Sequence, residues 1–395
     1  MKYLGLIVIL TAILIGVFYL TKTKTLQTET QNKVSKNTSV EEGANVSKGS
    51  TPTIPFNLSS NFTIHVFANG LGQARDLQFT PEGTLLVSIP NSNKVIAMPD
   101  KNKDGVADDK KVVINKGSHI HGLAFFDGKL YVADVDKVVR YNWDEQNLQA
   151  TEDKVLFSLP KNGDHNNRTL TFDKAGNMYV SVGSTCNVCV EQSNLSATII
   201  KSNANGDNPQ VFATGLRNAP FTQINPKTGD LWGTEMGRDN LGDDLPPDEI
   251  NIIKNGKNYG WPNCYGNKVH DSSFDKNNEK SCENTQEPLF TIPAHSAPLG
   301  LTFINSNQFP KDWQNDLLVA YHGSWNRSTP IGYKVIHLKV DGDKITSSQD
   351  FLTGFQQGNV NGTSLGRPVD LTFDSSGNLY LTDDKAGNIY IIQKN

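Results

Sequence analysis

The chain has 395 residues, a formal net charge of −4 at pH 7 and a pI near 6.1. It lacks the positive field of a nucleic-acid binder, so that class of partner is excluded on electrostatic grounds. The 33 glycines against four methionines indicate a turn-rich rather than a helical fold, and the length suits either several domains or one large propeller or barrel.

The first element in chain order is an apolar run from Leu4 to Leu20, with Lys2 before it and Lys22 and Lys24 after it. Its length is at the lower limit for crossing a bilayer. We interpret residues 1–21 as a signal peptide or a signal anchor. The lack of an Ala-x-Ala cleavage site and of a cysteine for lipid attachment favours an uncleaved anchor. The expected location is the extracellular or periplasmic face of the cytoplasmic membrane, with the protein anchored or secreted.

Residues 22–55 form a polar tract rich in Thr, Ser, Asn, Lys and Glu. Such a segment cannot bury enough apolar surface to fold, so we interpret it as a disordered, flexible stalk. Asn-x-Ser/Thr triplets in and just after the stalk are glycosylation acceptors if the protein passes through a glycosylating pathway. Their asparagines are Asn37, Asn45, Asn57 and Asn61.

Six copies of one unit follow from about residue 60. Each copy has a polar residue, an apolar strand, a turn with Gly and a second strand. Short strands with Gly turns at this spacing predict that residues 56–395 form an all-β, six-bladed β-propeller. A β-sandwich array is the alternative, but it does not demand the same opening in every repeat. The first strand of each propeller blade lines the axis, so the strand starts should meet near one funnel. These starts include Arg75, His121, Arg168, Asn218 and Arg367.

Several strand starts carry groups suited to chemistry. His165 beside Asp164 is a candidate general base with an adjacent orienting carboxylate, and a turn histidine is the alternative. Arg217 and Arg367 are candidate clamps for a multiply anionic ligand, although salt bridges between blades would use the same residues. Candidates for a substrate pocket, each with a structural role as its alternative, are His121, His295 and Trp325.

The segment from Asp100 to Asp109 resembles part of an EF-hand calcium loop. Oxygen ligands fall at positions 1, 3, 5 and 9 of the segment, and Gly lies at position 6. Position 12 is Lys111 rather than Glu and no flanking helices are evident, so a solvated acidic turn is the alternative. The candidate ligands of a structural calcium are Asp100, Asn102, Asp104 and Asp108.

Four cysteines occur as two pairs. An even number in an exported chain favours disulfides, and Cys186 with Cys189 or Cys264 with Cys282 would each close a loop. Zinc is the alternative, but the second pair lacks the short spacing of a zinc knuckle. Val190 stands where a haem attachment site needs His.

Seven ordered motifs carry a resemblance to a known family over residues 60–395. They are Asp164–Leu170, Val182–Cys189, Gly215–Asn218, Asp248–Asn251, Asn258–Pro262, His322–Ser328 and Gly366–Pro368. The chain resembles the sorbosone dehydrogenase branch of the glucose/sorbosone dehydrogenases. This resemblance implies a propeller that carries pyrroloquinoline quinone (PQQ) and calcium and oxidises sugars or sugar-derived aldehydes. It also implies that a His takes the substrate hydroxyl proton while hydride passes to a calcium-polarised quinone carbonyl.

The resemblance assigns catalytic roles to two neighbouring pairs. His165 matches the general base, and Asp164 matches the carboxylate beside it. Arg217 and Asn218 match an Arg-Asn pair that contacts the quinone and the substrate side.

The resemblance also implies cofactor contacts. Arg367 matches an Arg that pairs a quinone carboxylate, and we interpret Arg327 as the replacement of a Lys that the soluble glucose enzymes use. Backbone carbonyls are expected to hold the cofactor's calcium at Gly237 and Arg238, where the soluble glucose enzymes have Gly-Pro.

The leading hypothesis is therefore a membrane-anchored, PQQ-dependent sugar or aldehyde dehydrogenase. An external electron acceptor is expected, because the chain shows neither a haem motif nor a nucleotide fingerprint. One alternative is a non-catalytic extracellular propeller that binds glycans or proteins. Another is a calcium-dependent lactonase-type hydrolase, which would place several Asp, Asn and Glu side chains around one axial metal. The Arg- and His-rich strand starts suit an anionic cofactor better.

Overall fold

The computed structural model describes residues 50–59, 61–161 and 163–395. The anchor and most of the stalk expected from the sequence lie outside these residues. The described part of the chain forms 27 strands and three short 3-10 turns, and it contains no helix with the length and apolarity needed to span a membrane. Two short strands come first, β1 (Asn57–Leu58) and β2 (Phe62–Ala68).

Six four-stranded antiparallel blades follow, the first three from consecutive strands. Blade 1 consists of β3 (Leu77–Phe79), β4 (Leu85–Ile89), β5 (Lys94–Met98) and β6 (Lys111–Ile114). Blade 2 consists of β7 (Gly122–Phe126), β8 (Lys129–Asp134), β9 (Lys137–Asp144) and β10 (Gln149–Ser158). Blade 3 consists of β11 (Leu170–Phe172), β12 (Asn177–Val182), β13 (Thr198–Asn203) and β14 (Gln210–Thr214).

The last three blades include insertions and the N-terminal strands. Blade 4 consists of β15 (Thr222–Ile224), β16 (Leu231–Glu235), β17 (Asp248–Ile253) and β20 (Phe290–Ile292). Between β17 and β20 lies a hairpin of β18 (Cys264–Tyr265) and β19 (Val269–His270). Blade 5 consists of β21 (Pro298–Phe303), β22 (Leu317–Tyr321), β23 (Lys334–Val340) and β24 (Ile345–Thr353), with β1 added outside β24. Blade 6 consists of β25 (Pro368–Phe373), β26 (Leu379–Asp383), β27 (Asn388–Lys394) and β2.

The blades close into a ring. Each inner strand contacts the inner strand of the next blade, in the order β3, β7, β11, β15, β21, β25 and back to β3. The N-terminal β2 pairs with the C-terminal β27 from Phe62↔Lys394 onward, so one blade is built from both ends of the propeller. The prediction of an all-β, six-bladed propeller is confirmed.

Local turn chemistry explains why the strands pair in this register. In the turn after β11 the carboxylate of Asp173 accepts hydrogen bonds from the backbone and the side-chain amide of Asn177, and Gly176 has φ 80°. The turn after β25 repeats this arrangement between Asp374 and Asn378. An Asp that holds its own turn and a Gly in the left-handed region form a tight hairpin at little cost.

The hydrophobic core lies between the blades. Six clusters of buried apolar side chains occur, one for each pair of adjacent blades. Ile54, which the sequence boundaries assign to the stalk, is 5% exposed and belongs to the cluster between blades 5 and 6. The propeller therefore extends at least to Ile54.

All inner strands begin at the same end of the ring. The loops that join the second and third strands of each blade reach that end too, because neighbouring strands are antiparallel. We call this end the upper face, and it comprises the inner-strand starts with residues 90–93, 135–136, 183–197, 236–247, 322–333 and 384–387.

Candidate active site

His165 lies on the upper face in the loop that leads into β11. Its Nδ1 is 2.8 Å from Ser184 Oγ and 3.2 Å from the Ser184 carbonyl oxygen. A carbonyl only accepts, so Nδ1 carries the proton and the lone pair is on Nε2. Burial, with the charges of Arg217 and Arg168, lowers the pKa of His165 to about 3. The ring is therefore a neutral imidazole at pH 7, as a general base requires.

The orienting partner of His165 is Ser184 and not Asp164. Asp164 is exposed, and no hydrogen bond joins its carboxylate to the ring in the described part of the chain. Asp164 lies in a bend of the loop that leaves its carboxylate in water, where a charged group is better solvated than beside a buried ring. We expected Asp164 to orient the ring, and in the structure Ser184 does so instead.

Arg217 is 4% exposed and is held entirely by the protein. Nε donates to Asn187 O at 2.9 Å, and one terminal nitrogen donates to Met236 O at 3.3 Å and Gly237 O at 2.8 Å. The other terminal nitrogen donates to Asn187 Oδ1 at 2.9 Å and Asp239 Oδ2 at 3.2 Å. A guanidinium has five N–H groups, and these contacts provide five acceptors. In this structure Arg217 fixes loops, and its charge adds to the effect of burial in lowering the pKa of His165.

Three buried carboxyl groups lie close to Arg217. Burial raises the pKa of Asp248 and of Glu249 to about 7 in each case. Burial and the charge of Glu249 also raise the pKa of Glu235. Asp248 accepts hydrogen bonds from the amides of Gly237 and Ala297, which ties the 236–247 loop to the start of blade 5.

A second histidine forms a pair with a carboxylate on the upper face. His322 Nε2 lies 3.0 Å from Asp384 Oδ1, and Arg75 donates to Asp384 Oδ2 at 2.7 Å. Burial, with the charges of Arg367 and Arg75, lowers the pKa of His322 to about 4. Burial alone would raise the pKa of Asp384. The contacts with His322 and Arg75 outweigh burial and hold this pKa below its ordinary value.

Arg367 faces a cavity of about 1000 Å³ between blades 5, 6 and 1. Its Nε donates to His322 O at 3.1 Å and a terminal nitrogen donates to Gly323 O. The other terminal nitrogen has no acceptor among the described residues. Side chains that also line this cavity include His322, Trp325, Tyr333, Asp384 and Lys385. The cavity therefore combines free cationic donors with two aromatic rings.

Other sequence candidates take structural positions on the upper face. His121 is fully buried, and its ring lies 5.5 Å from that of Phe221 across the axis. His295 Nε2 is 2.8 Å from Gly242 O. Asn218 donates from its backbone to Glu235 Oε1 and from its side chain to Met236 Sδ.

Arg327 and Trp325 lie on the 322–333 loop, at separate places. Arg327 donates to Asp243 O and Asp244 Oδ1 of the neighbouring loop, and it is not among the residues that line the cavity around Arg367. Trp325 is 66% exposed at the edge of that cavity. The structure thus brings Trp325 and Arg367 together and leaves Arg327 outside.

The disulfide prediction is confirmed for both pairs, Cys186–Cys189 and Cys264–Cys282. Cys186, Cys189 and Glu191 are close enough to ligate a metal, but disulfide sulfurs offer no thiolate.

The calcium-loop prediction stays a prediction. The Asp100 and Asp104 carboxylates accept hydrogen bonds from amides of their own loop, as do the side chains of Asn102 and Asp108.

Sequence reasoning missed Ser184, Asn187 and the His322–Asp384 pair. Ser184 and Asn187 lie inside the motif Val182–Cys189, and His322 begins the motif His322–Ser328, so the sequence indicates these segments. The individual roles depend on which distant groups fold against them, and no local signal in the sequence carries that information.

Comparison with known proteins gives a family and relatives. A model of the TrAA12-like family matches residues 56–395. An uncharacterized protein of Borreliella burgdorferi is 34% identical over 286 residues, which cover 68% of this chain and 74% of that protein. The aldose sugar dehydrogenase YliI of Escherichia coli is 28% identical over 266 residues, covering 61% of this chain and 64% of the relative.

The PQQ-dependent pyranose dehydrogenase of Coprinopsis cinerea is 24% identical, over 87% of this chain and 55% of the relative. This chain therefore spans less than two thirds of the length of both named dehydrogenases. The solved PQQ domain of that pyranose dehydrogenase superposes with a TM-score of 0.76 at 23% identity, covering 87% of this chain and 98% of the domain. A calcium structure of a Trichoderma reesei family AA12 enzyme gives a TM-score of 0.77 at 22% identity, over 88% of this chain and all of that one. At these identities the structural likeness shows the fold.

Proposed function

Because this chain belongs to the TrAA12-like family, we propose that it is a PQQ-dependent dehydrogenase of a sugar or a sugar-derived aldehyde. The proposal rests on two groups that the upper face presents together. A neutral imidazole with a free Nε2, at His165, lies on the same face as a cavity that presents the free guanidinium donors of Arg367. The named relatives are sugar dehydrogenases, which supports the same reaction class.

The donor set around Arg367 fits an anionic quinone. PQQ is a planar molecule with several carboxylates, and a guanidinium with unused N–H groups is the group that binds a carboxylate most specifically. Lys385 adds a cation whose Nζ contacts only Ser364 Oγ at 2.9 Å and Gly362 O at 3.5 Å in the described residues. Trp325, which is 66% exposed, offers a flat surface for a ring system. When bound, PQQ would supply the two-electron acceptor for hydride.

His165 acts as the proton acceptor in this proposal. Ser184 keeps the Nδ1 proton in place, so Nε2 takes the proton from the substrate hydroxyl as its carbon is oxidised. Burial, together with the charges of Arg217 and Arg168, keeps the ring neutral before the reaction. Arg217 acts on the ring through its charge, because its own N–H groups are bonded to the protein.

Calcium, the electron acceptor and the cellular location complete the proposal. The carbonyl of Gly237 accepts from Arg217 and has a second lone pair, and the carbonyl of Arg238 has no protein donor among the described residues. These two oxygens, with acidic groups nearby, are suited to a calcium ion that would act as a Lewis acid. The proposed acceptor is an external electron carrier, and the proposed location is the outer face of the cytoplasmic membrane, to which the apolar run Leu4–Leu20 would direct the enzyme.

The test is dye-linked oxidation by the full-length protein, with and without added PQQ and calcium, across a panel of aldoses and sugar aldehydes. We expect activity only when both additions are present. We expect His165→Gln to lower kcat at least about 100-fold while PQQ still binds, because general-base catalysis contributes on the order of 100- to 10,000-fold. Arg367→Gln should instead weaken PQQ binding at least about tenfold, since it removes a charge-assisted contact.

PQQ binding is measured separately by its absorbance and by titration calorimetry. Failure of the wild-type protein to bind PQQ at micromolar concentration would refute the proposed cofactor. Full activity of His165→Gln would refute the proposed base. Arg140→Gln, in β9 of blade 2 and outside the cavity, is the matched control and should bind PQQ like the wild-type protein.

A further inference from the structure

We propose that Asn187, held in the Cys186–Cys189 disulfide loop, is a positioning residue that fixes both Arg217 and the proton-accepting ring of His165. This inference rests on the proposed function, in which His165 takes the substrate proton. It adds a residue and a covalent element to that site, and neither touches the reacting atoms.

Asn187 uses its backbone and its side chain to hold the neighbouring blade. Its carbonyl accepts from Arg217 Nε at 2.9 Å and from Trp261 Nε1 at 3.3 Å. Its Oδ1 accepts from an Arg217 terminal nitrogen at 2.9 Å and from the Asp239 amide at 2.7 Å. Its Nδ2 donates to Asp239 O at 3.2 Å. One residue of blade 3 thus supplies two of the five acceptors of Arg217 in blade 4.

The same loop sets the hydrogen bond to His165. Ser184 Oγ donates to Cys186 O at 2.7 Å. Because the hydroxyl proton is used there, the Ser184 oxygen accepts from His165 Nδ1. The Ser184 amide in turn donates to Arg217 O at 2.7 Å, so the segments of His165 and Arg217 meet at this serine. A shift of Cys186, next to Asn187, would move the acceptor of His165.

The disulfide constrains these contacts. Cys186 and Cys189 are three residues apart in sequence, so the bond closes a small ring that contains Asn187. A closed ring leaves the loop few alternative conformations, which holds the acceptors of Arg217 in place. Glu191 adds a second attachment, accepting from Thr185 N at 2.7 Å and Thr185 Oγ1 at 2.6 Å.

The charges that face His165 make the inference measurable. Arg168 from its own loop and Arg217 from blade 4 both disfavour the imidazolium. Arg217 itself faces Asp239, Glu235 and Asp248 as well as Arg238. Loss of the Asn187 contacts would let Arg217 move toward these carboxyl groups and away from the ring. The imidazolium of His165 would then form at a higher pH.

The experiment compares Asn187→Ala, Asn187→Asp and the double variant Cys186→Ser/Cys189→Ser in the full-length protein. We expect Asn187→Ala and the double variant to lower kcat/KM about tenfold. We also expect the acid limb of the kcat/KM profile, where activity is lost at low pH, to move up by about one pH unit. Asn187→Asp keeps the Oδ1 acceptor of Arg217 but loses the Nδ2 donor to Asp239 O, so its kcat/KM should fall less than that of Asn187→Ala. A second readout needs no cofactor: ¹⁵N NMR of labelled histidines should show the Nδ1–H tautomer of His165 in the wild-type protein and a mixture in Asn187→Ala.

Two controls separate positioning from general stability. Asn194→Ala changes an exposed asparagine farther along the same loop, and Cys264→Ser/Cys282→Ser removes the other disulfide; both should leave the acid limb and the tautomer unchanged. If Asn187→Ala loses activity with the wild-type acid limb and tautomer, the residue is only structural and the inference fails. If the wild-type protein itself oxidises no sugar but the tautomer changes as expected in Asn187→Ala, the positioning inference stands and the proposed function fails.

Discussion

At the scale of single residues, the histidines of the upper face differ in which nitrogen is free. His165 donates from Nδ1 to Ser184, and its Nε2 has no hydrogen-bond partner among the described residues. His322 directs Nε2 to Asp384 and has no partner at Nδ1 among the described residues. Burial lowers the pKa of both rings, and both are therefore neutral at pH 7.

The ion pair of Arg75 and Asp384 gives a residue-scale prediction. Each side chain is 12% exposed, so Asp384→Asn would leave a nearly buried guanidinium without its counter-charge. We expect a loss of about 2 kcal/mol in the free energy of unfolding at pH 7. The pKa of Asp384 is lower in the folded than in the unfolded protein. Its contribution to the free energy of unfolding is therefore complete above the unfolded pKa and is lost as pH falls from there through the folded pKa. The difference in the free energy of unfolding between Asp384→Asn and the wild type should therefore be smaller at acidic pH than at pH 7.

Urea unfolding at pH 7 and at pH 3 measures this gap. Asp350→Asn is the matched control, because Asp350 is 51% exposed and pairs with Lys334 at the surface. Such pairs contribute roughly 0–1 kcal/mol. Equal effects of the two substitutions would contradict the importance of the Arg75–Asp384 pair.

At the scale of elements, inner strands are joined by side chains that bond to the backbone of the next blade. Asp76, just before β3, accepts from the Leu123 amide of β7 at 2.8 Å. Asp370 in β25 accepts from the Leu77 amide of β3 at 2.9 Å. The two carboxyl groups also hydrogen-bond to each other. Such a pair must retain a proton, and burial together with the charge of Asp370 raises the pKa of Asp76.

Asp76→Asn should therefore stabilise the propeller at neutral pH. The amide can accept from Leu123 and donate to Asp370 without needing a proton. A carboxyl whose pKa is raised by folding contributes stability that is full below the unfolded value near 4 and is lost as pH rises through the folded value. The advantage of the variant over the wild type should thus grow from pH 4 to pH 8, by on the order of 1–3 kcal/mol.

Thermal unfolding of both proteins at several pH values tests this prediction. Asp343→Asn, at an exposed position, is the matched control and should show no such growth. A constant difference between Asp76→Asn and the wild type across this range would contradict the shared proton.

At the scale of the whole molecule, the ring depends on the pairing of its two ends. Strand β2 forms the outer edge of blade 6 against β27. It also supplies Phe62 to the cluster between blades 5 and 6 and Phe67 to the cluster between blades 6 and 1. Each buried aromatic side chain stabilises the fold by roughly 1.5–3 kcal/mol.

A chain that begins at residue 69 should therefore fail to form a stable propeller, whereas a chain that begins at residue 48 should fold. Loss of β2 exposes the edge of β27 to pairing with other molecules. Size-exclusion chromatography and thermal unfolding distinguish the two. A soluble monomer from residue 69 with the unfolding temperature of the longer chain would show that this closure is dispensable.

The sequence by itself determined the six repeats, the two disulfides and the enzyme family. These depend on short-range patterns: strands with period-two alternation, Gly turns, cysteine spacing and ordered motifs. The comparisons confirm the prediction of an oxidoreductase of the sugar dehydrogenase type. The roles of Asn218 and Arg327 stay predictions from family resemblance. The role of Asp164 stays a prediction too, except that Ser184 and not Asp164 orients the His165 ring.

Only the tertiary structure decided which polar groups meet. Arg75 and Asp384 are 309 residues apart and His322 and Asp384 are 62 apart, yet they form one network on the upper face. Arg217 was predicted as a ligand clamp, and its donors are bonded to loops of blades 3 and 4. Hydrogen-bond partners depend on the distances that ring closure creates between blades, and a local pattern in the chain contains no information about those distances.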